Sequence, residues 1–353
     1  MRNICPTPNP AHMSDAQLRR AIRGRLPERL SRRRPSRLLL LFPMIAGVVA
    51  GSVIIASSSL SWILATLISL LIGNLYAMLV FFGHDVGHGT VVRSRTLQDL
   101  VLSVTGLIFC VPASLWRHWH NVAHHAHPND PDLDPDSFGL LDAQGRSRKS
   151  RWLLVFAPGS RRLLGIAALC VMFTVHAQVV LWFRRTTCRV EGISLWRSGL
   201  LSAFGAAFWI SLGVAVGPRA ALFVIIVPMA TANAITMSYI VTNHMISPLE
   251  HGCNTLTTTM SVTTWRVVDW MHFNFSHHVE HHLFPGTNSA MYPRVRRAIR
   301  EIAPDDYVAP SHLRALWAVL STPRLYADIF HLCETYAGQS IDTRTLRAEL
   351  TQR

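Results

Sequence analysis

The sequence predicts an all-α integral membrane protein, with four spanning helices in two hairpins beneath a helical cap on the cytosolic side. Three observations carry that expectation. Half of the 353 residues are apolar; no Asp, Glu, Lys or Arg falls between Leu38 and Gly83; and the net charge of +14 is gathered in arginines that flank apolar runs. A single helix over Leu38–Gly83 would be roughly 70 Å long at about 1.5 Å per residue. The hydrocarbon core is about 30 Å thick, so the stretch crosses and returns.

Residues 1–37 form a basic arm. Ten arginines lie between Arg2 and Arg37, against the acids Asp15 and Glu28 alone. A basic balance can mean nucleic acid, but arginines beside apolar runs suit the positive-inside rule better. The arm is therefore expected in the cytoplasm, touching anionic headgroups. No signal peptide is expected, because the first apolar run starts late and no small-residue cleavage site follows a short apolar core. The arginine excess over the single lysine, Lys149, fits a bacterial protein of the inner membrane.

The first hairpin is expected at Leu38 to about Ser57 and Leu60 to about Phe82, turning near Ser57-Ser58-Ser59. Leu100–Trp116 is apolar but at the lower length limit for a span. Leu163–Phe183 is long enough, with Arg161-Arg162 before it and Arg184-Arg185 after it. Gly199–Gly217 and Ala220–Val241 form a second hairpin around Pro218-Arg219, and beyond His244 the chain is too polar to cross again. Parity then decides. If either intermediate segment spanned, the polar residues after it would change sides. Both are therefore expected to lie in the interface or to re-enter, although Arg219 on an outer turn runs against the scheme. The organisation that follows is an arm at 1–37, a membrane domain at 38–310 and a cytoplasmic tail at 311–353. Cys5, Cys110, Cys170, Cys188, Cys253 and Cys333 are scattered without a C-x-x-C pair, so neither a metal role nor a disulfide framework is assigned to them.

Eighteen histidines are present, and most fall in groups. His84 and His88, in G-H-D-V-G-H-G, are four apart and share a helix face where the second span ends. His120, His124 and His125 form H-x-x-x-H-H. Adjacent helical residues point about 100° apart, so one of the last two stays with His120 while the other serves a neighbouring metal. His278, His281 and His282 form H-x-x-H-H with the same adjacent pair, and His244 stands alone in T-N-H-M. All four groups fall on one predicted side of the membrane. Solvated interfacial histidines explain one such group and not four. His12, His312 and His331 lie far from any group. His118, His127, His251, His272 and His277 are near but off the spacings, and His176 lies within an apolar segment.

About nine histidines exceed one zinc, whose catalytic sites use three protein ligands. No H-E-x-x-H occurs. Imidazole suits iron, copper, nickel and zinc alike, so the residues themselves point to two first-row ions, iron favoured.

The strings H-D-V-G-H, H-N-V-A-H-H and H-V-E-H-H-L-F-P resemble, in order and spacing, the three histidine boxes of the membrane fatty acid desaturases and their hydroxylase relatives, over roughly Leu38 to Arg300. The acidic D-L-D-P-D after the second box belongs to the same likeness. The resemblance implies an O2-dependent desaturase with two iron ions held by His84, His88, His120, His124, His125, His278, His281 and His282. Asn243-His244 resembles the family's extra site, which makes His244 a ninth ligand and Asn243 a holder of metal-bound water. Asp85, Glu280, Asp132 and Asp134 become candidates for orienting imidazole N–H groups. No catalytic side chain beyond the metal centre is assigned.

The His-Pro-Gly-Gly hallmark of a fused b-type cytochrome is absent. The expected electron donor is therefore a separate acidic carrier of ferredoxin type, steered by the basic face. The substrate is a fatty acyl chain, lipid-, CoA- or carrier-protein-linked, in an apolar tunnel between the helices. A di-iron hydroxylase or ketolase of a lipid or carotenoid is the nearest alternative, since substrate geometry and not the ligands decides the outcome. A haem-binding electron carrier leaves most of these histidines unexplained. In a metal transporter they would line a path rather than collect on one side.

Overall fold

The computed structural model describes residues 13–27, 31–137, 162–184, 190, 192–252, 254–323, 325–333 and 340–352. Cys5, His12, Lys149, Arg161, Arg185, Cys188 and Cys253 lie outside them.

Helices dominate. α1 (Asp15–Arg23) precedes a 3-10 turn at Pro35–Leu40 that runs into α2 (Leu41–Ser57), and α3 (Trp62–Gly87) follows. Ser61 caps α3, its Oγ accepting the Leu64 N–H at 3.3 Å, so the break falls at the serine run. α4 (Arg95–Gly106) leads through a 3-10 turn to α5 (Ala113–Trp116), which continues as a π-helical turn at Arg117–His124. α6 (Arg162–Leu169) and α7 (Met172–Val179) come next. α8 (Leu195–Val216) and α9 (Pro218–His244) are long, and Pro218 sits in the first turn of α9, where a missing N–H costs nothing.

Four helices are long and apolar enough to cross a membrane: Pro35–Ser57, Trp62–Gly87, Leu195–Val216 and Pro218–His244. Two further pairs are bent, Arg95–Phe109 with Ala113–His124 by 100° and Leu163–Leu169 with Met172–Arg184 by 68°, which makes four to six candidate spans. The first bend has a local cause. Cys110 adopts a left-handed φ of 55°, and Pro112 beyond it has no N–H to continue the helix.

α3 and α9 cross closely. A Cβ on Gly73 would run into Thr231 and the Pro228 carbonyl, so glycine is what lets the backbones meet. Ser69 Oγ donates to the Phe223 carbonyl at 2.6 Å across the same contact. Arg219, unexpected at an apolar turn, donates to the Leu60 carbonyl at 2.5 Å and lies over the Trp62 ring. Phe42, Val49, Val53, Ile63, Leu67 and Leu71, with Phe204, Ile210 and Val214, are exposed on the outer faces. That is more contiguous apolar surface than a soluble protein tolerates.

Beyond α9 come α10 (Arg266–Met271), α11 (His278–Leu283), α12 (Tyr292–Ile302) and α13 (His312–Ser321). The expectation of an all-α chain needs one correction. β1 (Leu325–Tyr326), β2 (His331–Cys333) and β3 (Ser340–Asp342) form a small antiparallel sheet, followed by α14 (Thr343–Thr351). The described residues beyond 310 also pack against the rest of the chain. Tyr326 Oη donates to the Met245 and Ser247 carbonyls, and buried Arg347 donates to Ser247 Oγ and to the Leu256 and Thr259 carbonyls. The described residues of the basic arm pack as well. Ser14 and Gln17 form a capping box, and Leu18 and Ile22 are buried against Val279, Leu283, Val295 and Ile299. α1 thus docks on α11 and α12 through the apolar face that its i, i+4 spacing creates.

Candidate metal centre

His84 lies in the last turn of α3 and His88 caps it, so one helix end supplies both. A Cβ on Gly87, between them, would enter the Trp116 ring. The glycine lets the second histidine segment press against the first. That segment is π-helical, and its i→i+5 bonding widens the turn. The His125 N–H accordingly bonds the His120 carbonyl at 3.1 Å. Both His124 and His125 stay beside His120, with ring centroids 5.2 and 4.7 Å away. An α-helical turn would have turned His125 away.

Ring nitrogens converge in two groups. His84, His88, His120 and His281 form one, and His124, His244, His278 and His282 the other; within each group the donor atoms lie within 4.8 Å of one another. His84 Nε2 faces His120 Nε2 at 3.0 Å. His125 joins the first group, its Nε2 at 3.2 Å from His120 Nε2 and 2.9 Å from His281 Nε2. In the second group His278 Nε2 meets His244 Nε2 at 2.5 Å and His282 Nε2 at 3.0 Å. The adjacent pairs divide as their angular separation demands: His124 and His282 go to one group, His125 and His281 to the other.

A neutral imidazole offers one N–H and one lone pair. Nitrogens facing nitrogens at this density point lone pairs at common centres, which a cation satisfies. Burial, joined by the neighbouring histidines, holds His278, His281 and His282 well below the usual imidazole pKa. They are therefore neutral, the form that ligates metal. The buried His88 Nε2 has no hydrogen-bond partner among the described residues. An all-imidazole donor set in two clusters fits two first-row ions, iron among them.

The outer nitrogens show what holds the rings. His124 Nδ1 is 2.9 Å from Asp134 Oδ1, and Asp134 Oδ2 accepts the Asn129 N–H at 2.7 Å. His281 Nδ1 is 3.0 Å from Tyr292 Oη. Asn243 is fully buried beside His244, and both of its amide atoms lack a partner. Three other candidate orienting acids touch no ligand histidine. Asp85 binds Arg37 (2.9 Å) and Ser289 (2.6 Å). Asp132 is exposed in the turn that Asp130 caps. Glu280 accepts from Arg296 (2.8 Å), Ser261 (2.6 Å) and Tyr307 (2.5 Å). Burial raises the Glu280 carboxyl pKa, but the Arg296 and His277 charges and these hydrogen bonds outweigh it and leave it below the usual range.

Tyr292 and Asp136 are site residues that the spacing did not single out. Asp136 Oδ1 accepts from Trp119 Nε1 (2.7 Å) and meets His176 Nε2 (3.0 Å), while Oδ2 lies 3.4 Å from His124 Nδ1. Its signal was the last acid of D-L-D-P-D. Tyr292 carried none, being ten residues past the last box histidine. His118 bonds the Ser114 carbonyl, His272 bonds Tyr239 and Asn74, and His277 bonds Ser276. His312 stacks on Tyr239, while His251 and His331 pair with Asp130 and Asp328.

Both groups border one cavity, walled by Val80, Phe81, Trp119, Phe173, Thr236 and Ile240, with His84, His120, His124, His244 and His278 also lining it. Its volume is about 40 Å³, so a long apolar guest must displace side chains to enter.

A family profile described as fatty acid desaturase matches residues 60–314. The chain is 23% identical to an sn-1 acyl-lipid omega-3 desaturase (ferredoxin) of Synechocystis sp., covering 86% of this chain and 87% of that protein. It is 22% identical to an acyl-lipid (7-3)-desaturase of Rebecca salina, over 78% and 67% respectively. It is also 23% identical to a delta 8-(E)-sphingolipid desaturase of Kluyveromyces lactis, over 64% and 44%.

Proposed function

This chain belongs to the fatty acid desaturase family, an oxidoreductase that desaturates acyl chains, and from that premise we propose that nine histidines hold two iron ions at its active site. The ligands are His84, His88, His120, His125 and His281 for one ion and His124, His244, His278 and His282 for the other. The observation that carries the reading is the convergence of eight of these imidazoles in two groups, with His125 against the first, beside one apolar cavity. When bound, the irons supply the redox chemistry: O2 takes two hydrogens from a CH2–CH2 unit, two electrons from a donor and two protons, giving a C=C bond and two waters.

The protein's own residues do the positioning. Asp134 fixes the His124 ring and Tyr292 the His281 ring. Asn243 offers an amide to a water beside the second group. Phe81, Trp119, Phe173 and Ile240 exclude bulk water and hold a methylene near the histidines. Placement matters because an error of about 1 Å can cost about a hundredfold in rate.

The four long helices are assigned as two hairpins and the bent pairs as re-entrant, in a bacterial inner membrane with both termini and the histidines on the cytoplasmic side. The support is the arginine flank: Arg33 Nε donates to the Gly89 carbonyl and Arg37 pairs with Asp85, so positive charge sits at the histidine end of α3. The chain divides into an arm at 1–37, a membrane domain at 38–310 and a C-terminal segment at 311–353, and the described residues of the arm and of the last segment pack on the membrane domain. The electron donor is a separate ferredoxin-type protein, in keeping with the Synechocystis relative, whose name includes ferredoxin.

The test is the lipid profile of a bacterial host expressing the chain, beside the same host expressing His281→Ala. Acyl chains two hydrogens lighter, lost in the variant, support the proposal. Products one oxygen heavier replace it with hydroxylation.

A further inference from the structure

The donor's docking site is not marked by any motif, yet two helices stand out. α1 and the turn after it carry Arg20, Arg23 and Arg25 on the outside; α12 carries Arg294, Arg297 and Arg300. The three on α12 recur every third residue and so share one side of the helix. Against six exposed arginines stands one exposed acid on these elements, Glu301, which lies 3.8 Å from Arg25. Arg20, Arg294 and Arg297 have no acidic partner among the described residues.

The platform is fixed to the metal centre from behind. α1 and α12 pack together on α11 through Leu18, Ile22, Val295 and Ile299. α11 is the segment that carries His278, His281 and His282. Tyr292, the first residue of α12, contacts His281 Nδ1 on the side of the ring opposite the converging Nε2 atoms. Arg296, one turn on, is locked to buried Glu280. From the surface of α12 to a ligand imidazole the path is one short helix and one 3.0 Å hydrogen bond.

We infer that the α1–α12 platform is the docking face for a small acidic one-electron carrier protein, which delivers electrons through the Tyr292–His281 contact. The inference rests on the desaturase reading, whose electron balance requires two electrons from outside per double bond. A one-electron carrier must dock and leave twice per turnover. Such an encounter suits steering by rim charges, which speeds association without a large apolar interface.

A lipid surface is the competing occupant for so basic a face. A helix lying on a bilayer presents large apolar side chains toward the lipid. α1 and α12 have already spent theirs on the protein core, and neither exposes a large hydrophobic residue. The exposed apolar belt lies on the long helices instead.

The test uses the full chain in nanodiscs, iron-loaded, with an acidic [2Fe–2S] ferredoxin as the carrier. Wild type is compared with the triple variant Arg20→Glu, Arg294→Glu, Arg297→Glu. Binding is read by interferometry at low and high salt, and turnover is read with ferredoxin and separately with a chemical reductant. The variant should lose ferredoxin affinity by at least about tenfold at low salt and lose most of the salt dependence. Its KM for ferredoxin should rise with kcat unchanged, and reductant-driven turnover should match wild type. Unaltered ferredoxin binding, or no binding by wild type, overturns the inference, as does a variant that loses binding to anionic vesicles but keeps ferredoxin. Wild type that binds ferredoxin yet yields no alkene with either reductant instead overturns the desaturase reading.

Discussion

Replacing Asp134 by Asn should loosen the second metal position without disturbing the fold. Asp134 is completely buried, with Oδ1 against His124 Nδ1 at 2.9 Å and Oδ2 accepting the Asn129 N–H at 2.7 Å. Oδ1 also accepts the Asp136 N–H at 2.8 Å. Asn fills the same volume but has one acceptor oxygen. Whichever way its amide turns, the NH2 faces a donor: the His124 Nδ1–H or the Asn129 N–H. A buried donor left unsatisfied costs about 1–3 kcal/mol, and loss of a partner behind a ligand histidine typically lowers metal affinity or activity about 10–100-fold. The assay is chelator competition for iron on purified protein, with desaturation measured in parallel. Asp132→Asn is the control, because that carboxylate is exposed and lies beside His251 rather than beside a ligand histidine. Asp134→Asn with iron affinity within about twofold of wild type would refute the claim that Asp134 holds His124 for the metal.

Glu280→Ala should cost about 3 kcal/mol, because part-buried Arg296 loses its carboxylate partner and Ser261 and Tyr307 lose their buried acceptor; a thermal-shift or denaturant comparison in detergent checks it. Thr236→Val should stabilise the metal-free protein by about 1 kcal/mol, since the buried Thr236 hydroxyl lacks a partner in an apolar wall, and a lowered melting temperature would count against it. His272 gives a pH signature. Burial, with the His312 charge adding, lowers its pKa from 6.5 to about 4 despite Asp269. The unfolded chain binds a proton there before the folded one does, so this contribution is complete above pH 6.5 and is lost as the pH falls toward about 4. The loss is about 3 kcal/mol, and His272→Phe should flatten that part of the stability–pH curve.

The four long helices, though not all of their ends, and the grouping of the histidines were legible because both follow from short-range rules. Charge-free runs set the spans, and Ser61 and Pro218 mark helix starts by their caps. The i, i+4 spacing placed His84 with His88. The adjacent pairs promised two metal positions, but not which histidine would serve which. A π turn decides that at His124 and His125, and an α-helical rule cannot foresee it. Asp85 and Glu280 stand next to ligands in sequence and turn out to face arginines. On a helix end, neighbours in sequence point different ways, so adjacency to a box is poor evidence of contact with it. Tyr292 and the packing of Arg347 depend on long-range contacts with no local signal. α1 did have one, the Ser14–Gln17 capping box ahead of Leu18 and Ile22, but its arginines masked the apolar face.

The central claim is that one chain holds two irons on nine histidines, and the most direct measurement is the metal content of the protein purified from iron-replete cells. Two irons per chain in wild type, with a loss in both His125→Ala and His282→Ala, is the predicted result. One metal per chain, zinc in place of iron, or two irons retained in both variants would contradict it.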